Sequence, residues 1–456
     1  MAASFAPSTR AVVIDVGTGF TKLGYAGQLQ PDFQFPTAIA AADEGASDIS
    51  GSAKDGIRDL DFLIGDAAVA STKHTVNYPV RHVRRSLRTR RARRAPARWP
   101  HRAPSASPPT QPLLQGLIEN WTNMERIWQR CFFEYLRADP EDHYVVLTEP
   151  PLNPPENREY AAEIMFETFN VSGLSIGVQA VLALAAGLSQ MTAADRTLTG
   201  TVIDSGDGVT HVIPIADGYV IGGAIKHIPL AGRDITAYVQ RALRERGEVL
   251  PPEDSLDAAR RIKESLCYCG QDMLKEFARF DRAPEKRFVP FSYTSPRGAR
   301  ATHTVEVGYE QFLAPELFFN PEVFSADFTK PLPEVVDEAI LGAPIDSRRG
   351  LYGRIVLSGG STMFRNFGLR LQQDLKERVE RRFAANVARL RAAPALAPAE
   401  MKVKVVTHAY QRNAVFFGGS LMASQDGFAK QVITKAQYAE EGPRCARGSA
   451  SFRFTS

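Results

Sequence analysis

The chain has 456 residues, of which 44% are hydrophobic and 23% are charged. This length allows two or three domains with substantial cores, and the composition is ordinary for a soluble globular protein. The first residues lack the apolar stretch of a secretory signal, and the longest apolar run, residues 178–188, is too short to span a bilayer. Four cysteines, Cys131, Cys267, Cys269 and Cys445, form no CxxC pair. We therefore expect a reduced, cytoplasmic protein without structural zinc or membrane insertion.

The net charge of +4 comes from one segment. No acidic residue occurs between Asp66 and Glu119, and nine arginines lie within residues 84–102, so the rest of the molecule is mildly acidic. Residues 83–115 are rich in Arg, Pro, Ala and Ser and have no period, so they cannot bury a core. A basic run with a single tryptophan, Trp99, is compatible with binding to nucleic acid or acidic lipid. A solvated, disordered loop or retained non-coding sequence explains it better, and we expect no nucleic-acid partner.

Strands and helices alternate along the first half of the chain. Residues 11–27 alternate in polarity around glycines, which predicts a strand, a tight turn and a strand. Residues 40–62 are polar and rich in Gly and Ser, so a surface loop is expected. Helical spacing returns in residues 117–136, a buried strand ending in a turn follows in 143–153, and an amphipathic helix in 156–170.

The first half ends with a short strand and a buried helix over residues 172–188, and the polar residues 188–199 suggest a boundary. A second strand–turn–strand unit then begins at Gly200, and residues 354–383 predict a buried strand, a Gly-Gly-Ser turn and a long helix. Alternating strands and helices imply an α/β fold, and the repeated unit implies two related halves.

The pattern Ile-Asp-x-Gly-x-Gly-x-Thr occurs twice, in residues 14–21 and 203–210. Each copy puts an aspartate, Asp15 or Asp204, at the end of a buried strand before a turn. The glycines bring backbone N–H groups close to a ligand, and such groups form a nest for phosphate. A carboxylate beside phosphate is tolerable only with a cation between them, most simply Mg²⁺ that keeps its waters. One copy alone fits a plain glycine hairpin, but two copies favour two hairpins that hold a polyphosphate from both sides.

Several stretches resemble the actin family, among them DVGTGFTKLGYAG, LTEPPLNPPENRE, VIDSGDGVTHVIP, LAGRDIT, LSGGSTMF and FFGGSLMAS. The resemblance covers the whole chain except residues 83–115. It implies an actin-like ATPase fold, with duplicated ribonuclease-H-like domains around a nucleotide cleft. It also implies a first actin-like domain in residues 1–190, a second in 191–412, and a C-terminal segment, 413–456, that returns to the first domain.

The resemblance implies ATP and Mg²⁺ as cofactors and carries over residues for each part of the ligand. Asp15 and Asp204 would hold the waters around Mg²⁺, and Gln179 and His211 would place the water that attacks the γ-phosphate. The remaining residues would bind the nucleotide, in two phosphate loops (Gly17, Thr18, Gly19, Lys22; Gly206, Asp207, Gly208, Val209), on the nucleoside side (Gly359, Gly360, Ser361, Met363, Phe364) and around the adenine and ribose (Arg260, Lys263, Glu264, Arg412). Without the resemblance, Gln179 and His211 would be interpreted as structural polar groups.

Other stretches, such as IKHIPLAGRDIT and VGYEQFLAPELFFNPE, resemble the family member that pairs with actin-related protein 2 in the complex that nucleates branched filaments. The implied function is that of an ATP-binding subunit which imitates a filament end, with slow ATP hydrolysis at most. The implied partners are actin-related protein 2, the other subunits, actin filaments and nucleation-promoting factors, in the cytoplasmic actin cytoskeleton. The alternatives are a conventional or nuclear actin family member and a sugar-kinase-like phosphotransferase, although no motif supplies a catalytic aspartate for a sugar hydroxyl.

The sequence departs from the actin pattern in three places. Residues 44–62 carry little apolar surface where actin has a hydrophobic plug that docks into the neighbouring subunit, so ordinary self-assembly is not expected. Asn413 stands where the family usually has an aromatic residue near the adenine, which predicts weaker nucleotide binding. Residues 83–115 are an insertion in a stretch that is normally continuous in the family.

Overall fold

The computed structural model describes residues 10–41, 62–71, 75–82, 115–189, 197–248, 250–295, 302–323, 328–389 and 401–448. Residues 42–61 of the expected surface loop and residues 83–114 of the basic insertion lie outside these residues, whereas residues 40, 41, 62 and 115, at the ends of the two predicted segments, belong to β-strands. The described residues form nineteen β-strands, which are β1 (Val12–Val16), β2 (Phe20–Tyr25), β3 (Phe33–Pro36), β4 (Ile39–Ala41), β5 (Phe62–Ile64), β6 (Thr75–Asn77), β7 (Val80–His82), β8 (Gln115–Ile118), β9 (Tyr144–Glu149), β10 (Gly173–Val178), β11 (Gly200–Ser205), β12 (Thr210–Ala216), β13 (Tyr219–Val220), β14 (Lys226–Ile228), β15 (Val289–Thr294), β16 (Thr302–Val307), β17 (Ile355–Ser358), β18 (Val405–Val406) and β19 (Ile433–Thr434).

The same described residues contain fourteen α-helices. They are α1 (Gly65–Ala70), α2 (Trp121–Arg130), α3 (Pro155–Glu163), α4 (Gln179–Leu188), α5 (Gly232–Glu245), α6 (Pro252–Leu266), α7 (Met273–Arg282), α8 (Pro284–Arg287), α9 (Glu310–Glu316), α10 (Leu332–Leu341), α11 (Ile345–Gly353), α12 (Phe367–Arg389), α13 (Ala414–Ala423) and α14 (Lys435–Glu441). None of these helices is both long and apolar enough to cross a membrane.

Two six-stranded sheets share the same arrangement over five of their strands. In the first, the strand order is β19-β10-β9-β1-β2-β3, with β1 antiparallel to β2 and parallel to β9. In the second, the order is β13-β12-β11-β17-β18, with β14 beside β12 and with β11 antiparallel to β12 and parallel to β17. Each sheet therefore contains one copy of the repeated phrase as a hairpin, followed by a parallel strand from later in the chain. The α/β class and the two related halves are confirmed.

Helices α4 and α13 lie between the two sheets and join them. Residues 180–188 of α4 are all buried, as are residues 414–420 of α13. The two helices pack on each other, α4 also contacts β11 and β17, and α13 also contacts β1 and β9. Burying a Leu, Val or Phe side chain stabilises the fold by roughly 1.5–3 kcal/mol, so this shared core holds the site-bearing strands in place.

The last described segment of the chain packs on the first sheet. Strand β19 pairs antiparallel with β10 at the edge of that sheet. Farther on, Arg447 forms ion pairs with Glu156 and Glu159 of α3, each with an N–O distance of 2.9 Å. Strand pairing and these two ion pairs tie the segment to the first half.

Two predicted helices differ from the structure at their ends. The helix expected from residue 117 begins at Trp121, because residues 115–118 pair with β7 and Asn120 caps the helix by accepting a hydrogen bond from the backbone N–H of Asn123. Helices α2 and α3 then continue as π-helical turns, Cys131–Leu136 and Ile164–Thr168. Apolar spacing alone does not distinguish these wider turns from an α-helix.

Candidate functional site

The two hairpin turns of the repeated phrase face one cavity of about 410 Å³. The first turn joins β1 to β2, the second joins β11 to β12, and a third turn follows β17. This volume lies within the range of roughly 300–1,000 Å³ found for small-molecule sites. All of the residues predicted to bind the cation, the nucleotide or the attacking water line this cavity, namely Asp15, Gly17, Thr18, Gly19, Lys22, Gln179, Asp204, Gly206, Asp207, Gly208, Val209, His211, Arg260, Lys263, Glu264, Gly359, Gly360, Ser361, Met363, Phe364 and Arg412.

Asp15 is buried at the end of β1 and is held by three side chains. Lys22 lies opposite it in the β1–β2 register, with Nζ 3.2 Å from Oδ2 of Asp15. Thr148 at the end of β9 donates a hydrogen bond of 2.7 Å to Oδ1. The amide of Gln179, the first residue of α4, donates to the same oxygen at 3.4 Å. These three contacts fix the orientation of the Asp15 carboxylate relative to the cavity.

Asp204 occupies the equivalent position in the second half. His211 lies opposite it in the β11–β12 register, as Lys22 lies opposite Asp15. Ser358 of β17 donates a hydrogen bond of 2.8 Å to Oδ1 of Asp204. Burial raises the pKa of Asp204, the Ser358 hydrogen bond and the Lys22 charge oppose this rise, and the Asp15 charge adds to it. The ionised carboxylate would therefore be stabilised by a cation in the cavity.

The second turn is locked to two neighbouring elements through one carbonyl group. The backbone oxygen of Gly206 accepts from the Ser361 hydroxyl at 2.6 Å and from the backbone N–H of Gly232 at 3.1 Å. Lys263 of α6 in turn donates to the carbonyl of Gly232 at 3.1 Å. Burial lowers the pKa of Lys263, while the charge of Asp207 opposes this effect. The turn, the start of α5 and the third turn therefore form one connected wall.

Two of the predicted nucleotide residues form ion pairs at the cavity edge. Asp207 pairs with Arg233, at an N–O distance of 3.0 Å. Arg260 pairs with Asp257 one turn earlier in α6, at 2.5 Å, and its side chain is 45% exposed. Both cavity residues therefore already have a charged partner, and Arg260 lies near the mouth rather than deep in the cavity.

Near the third turn, the structure differs from one expectation about the adenine side. Asn413 does not line the cavity, and within the described residues its buried Oδ1 has no hydrogen-bond partner. The cavity wall here consists of the exposed Arg412 and of Ala414 and Val415. The predicted effect of Asn413 on nucleotide binding would thus have to act through its neighbours.

The two residues expected to place the attacking water come from different halves. Gln179 donates to Oγ1 of Thr148 at 3.3 Å, in addition to its contact with Asp15. The ring of His211 contacts the ring of His227 on β14 edge to face, with 4.9 Å between the centroids. Each side chain is thus oriented by a neighbour that lies in the same half.

Sequence analysis missed several residues of the site. Thr148 donates a hydrogen bond to Asp15 although it does not itself line the cavity, and it lies inside the quoted motif LTEPPLNPPENRE. Gly232 lies inside the quoted motif LAGRDIT, and Ser358 lies inside the quoted motif LSGGSTMF. The other cavity residues that were not singled out are Val16, Phe20, Gln34, Val80, Pro150, Ser265, Cys267, Arg365, Ala414 and Val415.

Comparison with known proteins identifies the family. The sequence model of the actin family, described as Actin, matches residues 6–85, 106–260 and 254–449, and the break after residue 85 falls in the basic insertion. Actin-related protein 3 of Dictyostelium discoideum is 50% identical over 442 residues, 96% of each chain, and that of Drosophila melanogaster is 50% identical over 446 residues, 97% of this chain and 98% of the other. Actin-related protein 3 of Schizosaccharomyces pombe is 49% identical over 454 residues, 96% of each chain. The resemblance seen in the sequence is confirmed, and the chain belongs to the actin family.

Proposed function

We propose that this chain binds ATP with Mg²⁺ in the cavity and acts as a nucleotide-dependent subunit of a complex that nucleates branched actin filaments. One observation carries the nucleotide part. Two equivalent hairpin turns, one from each sheet, bring the carboxylates of Asp15 and Asp204 to the same cavity. A ligand that needs both turns must carry negative charge together with a cation, and Mg²⁺-bound ATP meets both conditions.

The residues that are present fit this ligand. Carboxylates are the protein ligands that Mg²⁺ prefers, and burial has already raised the pKa of Asp204. A methyl group placed on Gly206 or Gly360 would meet no atom within 4 Å, so the backbone of the second and third turns borders open space. When bound, Mg²⁺ would neutralise charge between the carboxylates and the phosphates.

Within this proposal each group of cavity residues has one task. Lys22 would place a positive charge beside the phosphates, and the backbone N–H groups of the two hairpin turns would hold the phosphate oxygens. Gln179 and His211 would orient a water molecule toward the terminal phosphate, since phosphoryl transfer depends mostly on positioning and charge stabilisation, and hydrolysis would be slow at most. The adenine and ribose contact the residues near the mouth and the third turn, namely Arg260, Lys263, Glu264, Gly359, Gly360, Ser361, Met363, Phe364 and Arg412.

The assembly part of the proposal is supported by the relatives. The relatives called actin-related protein 3 from Dictyostelium discoideum, Drosophila melanogaster and Schizosaccharomyces pombe align with this chain over 96–98% of their own length, at 49–50% identity. We infer that the partners are actin-related protein 2, further subunits, actin filaments and nucleation-promoting factors, in the cytoplasmic actin cytoskeleton. The cleft would separate a domain of residues 1–190 from one of residues 191–412, with residues 413–456 on the first. Closure of such a cleft around ATP would set the angle between the domains.

The test uses the full chain with and without its partners. The chain alone, given Mg-ATP and salt, should not sediment as filaments, because residues 44–62 include few apolar residues that a filament contact could bury. Reconstituted with actin-related protein 2 and the other subunits, it should support branched filaments under the microscope. A phosphotransfer assay against a panel of sugars should remain blank. Filaments from the chain alone, or full branching by an assembly that lacks it, would overturn the proposal.

A further inference from the structure

The hydroxyl of Thr148 makes two hydrogen bonds of opposite kind. It donates to Oδ1 of Asp15 at 2.7 Å and accepts from Nε2 of Gln179 at 3.3 Å. A hydroxyl has one hydrogen and two lone pairs, so one group can make both bonds at once. The side chain therefore links the carboxylate at the end of β1 to the amide at the start of α4.

Among the residues that the structure describes, the second half contains one part of this link, the hydroxyl beside the carboxylate. Ser358 lies beside Asp204 in the β11–β17 register and donates to Oδ1 at 2.8 Å, as Thr148 donates to Asp15. Helix α4 begins directly after β10, whereas a 3-10 turn, Gln411–Asn413, lies between β18 and α13. The first residue of α13 is Ala414, which has no side-chain donor. The carboxylate–hydroxyl pair is duplicated, whereas the amide is present on one side.

We propose that Thr148 is a positioning residue that ties the orientation of the Asp15 carboxylate to that of the Gln179 amide. Ser358 is its counterpart for the carboxylate of Asp204 alone. This inference rests on the proposed function, in which Asp15 faces the cation and Gln179 faces the attacking water. Fixing both with one hydroxyl makes cation binding and water placement depend on a residue that does not itself line the cavity.

A merely structural role makes a different prediction. If Thr148 only satisfies neighbouring polar groups, its loss would lower stability and leave the cation requirement and the rate of hydrolysis unchanged. Outer partners of metal ligands typically contribute about 10- to 100-fold to metal affinity or activity. The two roles are therefore separable by measurement.

The experiment compares four variants of the full chain. Thr148→Val keeps the shape and removes the hydroxyl, Thr148→Ser keeps the hydroxyl, and Ser358→Ala removes the counterpart. Thr201→Val is the matched control, because this buried threonine of β11 donates to the carbonyl of Leu351 and does not line the cavity. For each protein one measures ATP affinity against Mg²⁺ concentration, single-turnover phosphate release at saturating Mg²⁺, and the melting temperature in EDTA.

Thr148→Val should raise the Mg²⁺ concentration needed for half-maximal ATP binding about tenfold and should slow phosphate release by a similar factor. Thr148→Ser should restore both values. Ser358→Ala should raise the Mg²⁺ requirement and should slow release less than Thr148→Val does. Thr201→Val should change the melting temperature alone.

The inference is overturned if Thr148→Val shifts only the melting temperature, or if Ser358→Ala slows phosphate release as much as Thr148→Val. Absence of hydrolysis in the wild type over long incubation would overturn the link to Gln179. A wild type that binds ATP without any need for Mg²⁺ would instead contradict the proposed function.

Discussion

Gly19 and Asp207 belong to different halves of the molecule and lie in direct contact. A methyl group placed on Gly19 would come within 2.8 Å of Cβ of Asp207. The two turns of the repeated phrase therefore not only face the same cavity but touch across it. Two Cβ atoms do not approach within 2.8 Å of each other. The short distance between the two turns therefore requires a residue without a side chain at Gly19.

We expect Gly19→Ala to push the two turns apart. Overpacking of this kind costs about 1–3 kcal/mol, so both the melting temperature without nucleotide and the affinity for Mg-ATP should fall. Gly353→Ala is the control, since a methyl group there would meet open space at the end of α11. Calorimetry and nucleotide titration measure the two effects. Wild-type affinity in Gly19→Ala would show that the contact can open at no cost.

Removal of Mg²⁺ should weaken ATP binding sharply, because the carboxylates of Asp15 and Asp204 then face the phosphates without a cation. Asp204→Asn should weaken Mg-ATP binding in the same way while keeping the Ser358 contact. Its melting temperature without nucleotide should not fall, because the raised pKa of Asp204 shows that burial disfavours the ionised form. The control is Asp346→Ala, at an exposed aspartate in the first turn of α11. Unchanged ATP affinity both in EDTA and in Asp204→Asn would contradict the prediction.

Acid should destabilise the protein through His227. Burial lowers the pKa of this histidine below 6.5, and within the described residues its Nδ1 has no hydrogen-bond partner. The unfolded chain takes up a proton near pH 6.5 that the folded chain resists, so the free energy of unfolding decreases as the pH falls below 6.5. Each unit of lowered pKa contributes about 1.4 kcal/mol to this loss.

The variant His227→Phe isolates that contribution. Phenylalanine keeps a ring beside His211 but cannot be protonated. The melting temperature of the wild type should fall more than that of the variant between about pH 7.5 and 5.5. His408, whose pKa burial also lowers, is present in both proteins and cancels in the comparison. Parallel curves would show that His227 is protonated in the folded protein as readily as in the unfolded chain.

The crossing of α4 and α13 should not tolerate a side chain at Gly418. A methyl group there would lie 2.0 Å from the backbone oxygen of Leu182, so one helix would have to move. Because the two helices carry the core shared by both sheets, Gly418→Ala should lower the free energy of unfolding by about 1–3 kcal/mol or more. Denaturant unfolding measures this, with Gly353→Ala again as the control. A loss below about 0.5 kcal/mol would show that the helices can separate freely.

The sequence by itself determined the local units of this protein. Alternating polarity around the glycines predicted the hairpins β1–β2 and β11–β12, and the uniformly apolar residues 180–188 predicted a buried helix. These units depend on neighbouring residues alone, because turn geometry and burial period are local properties. The equal spacing of the two phrases further predicted that Asp15 and Asp204 serve one site, and both residues do line one cavity.

Tertiary structure alone decided which distant residues support those units. Thr148 meets Asp15, and Ser358 meets Asp204, across more than a hundred residues of chain in each case, because parallel strands from separate segments align their ends. The contact between Gly19 and Asp207 likewise depends on how the two sheets pack around α4 and α13. Spacing along a chain carries no information about such contacts, since strand order and helix packing are set by burial of the whole core.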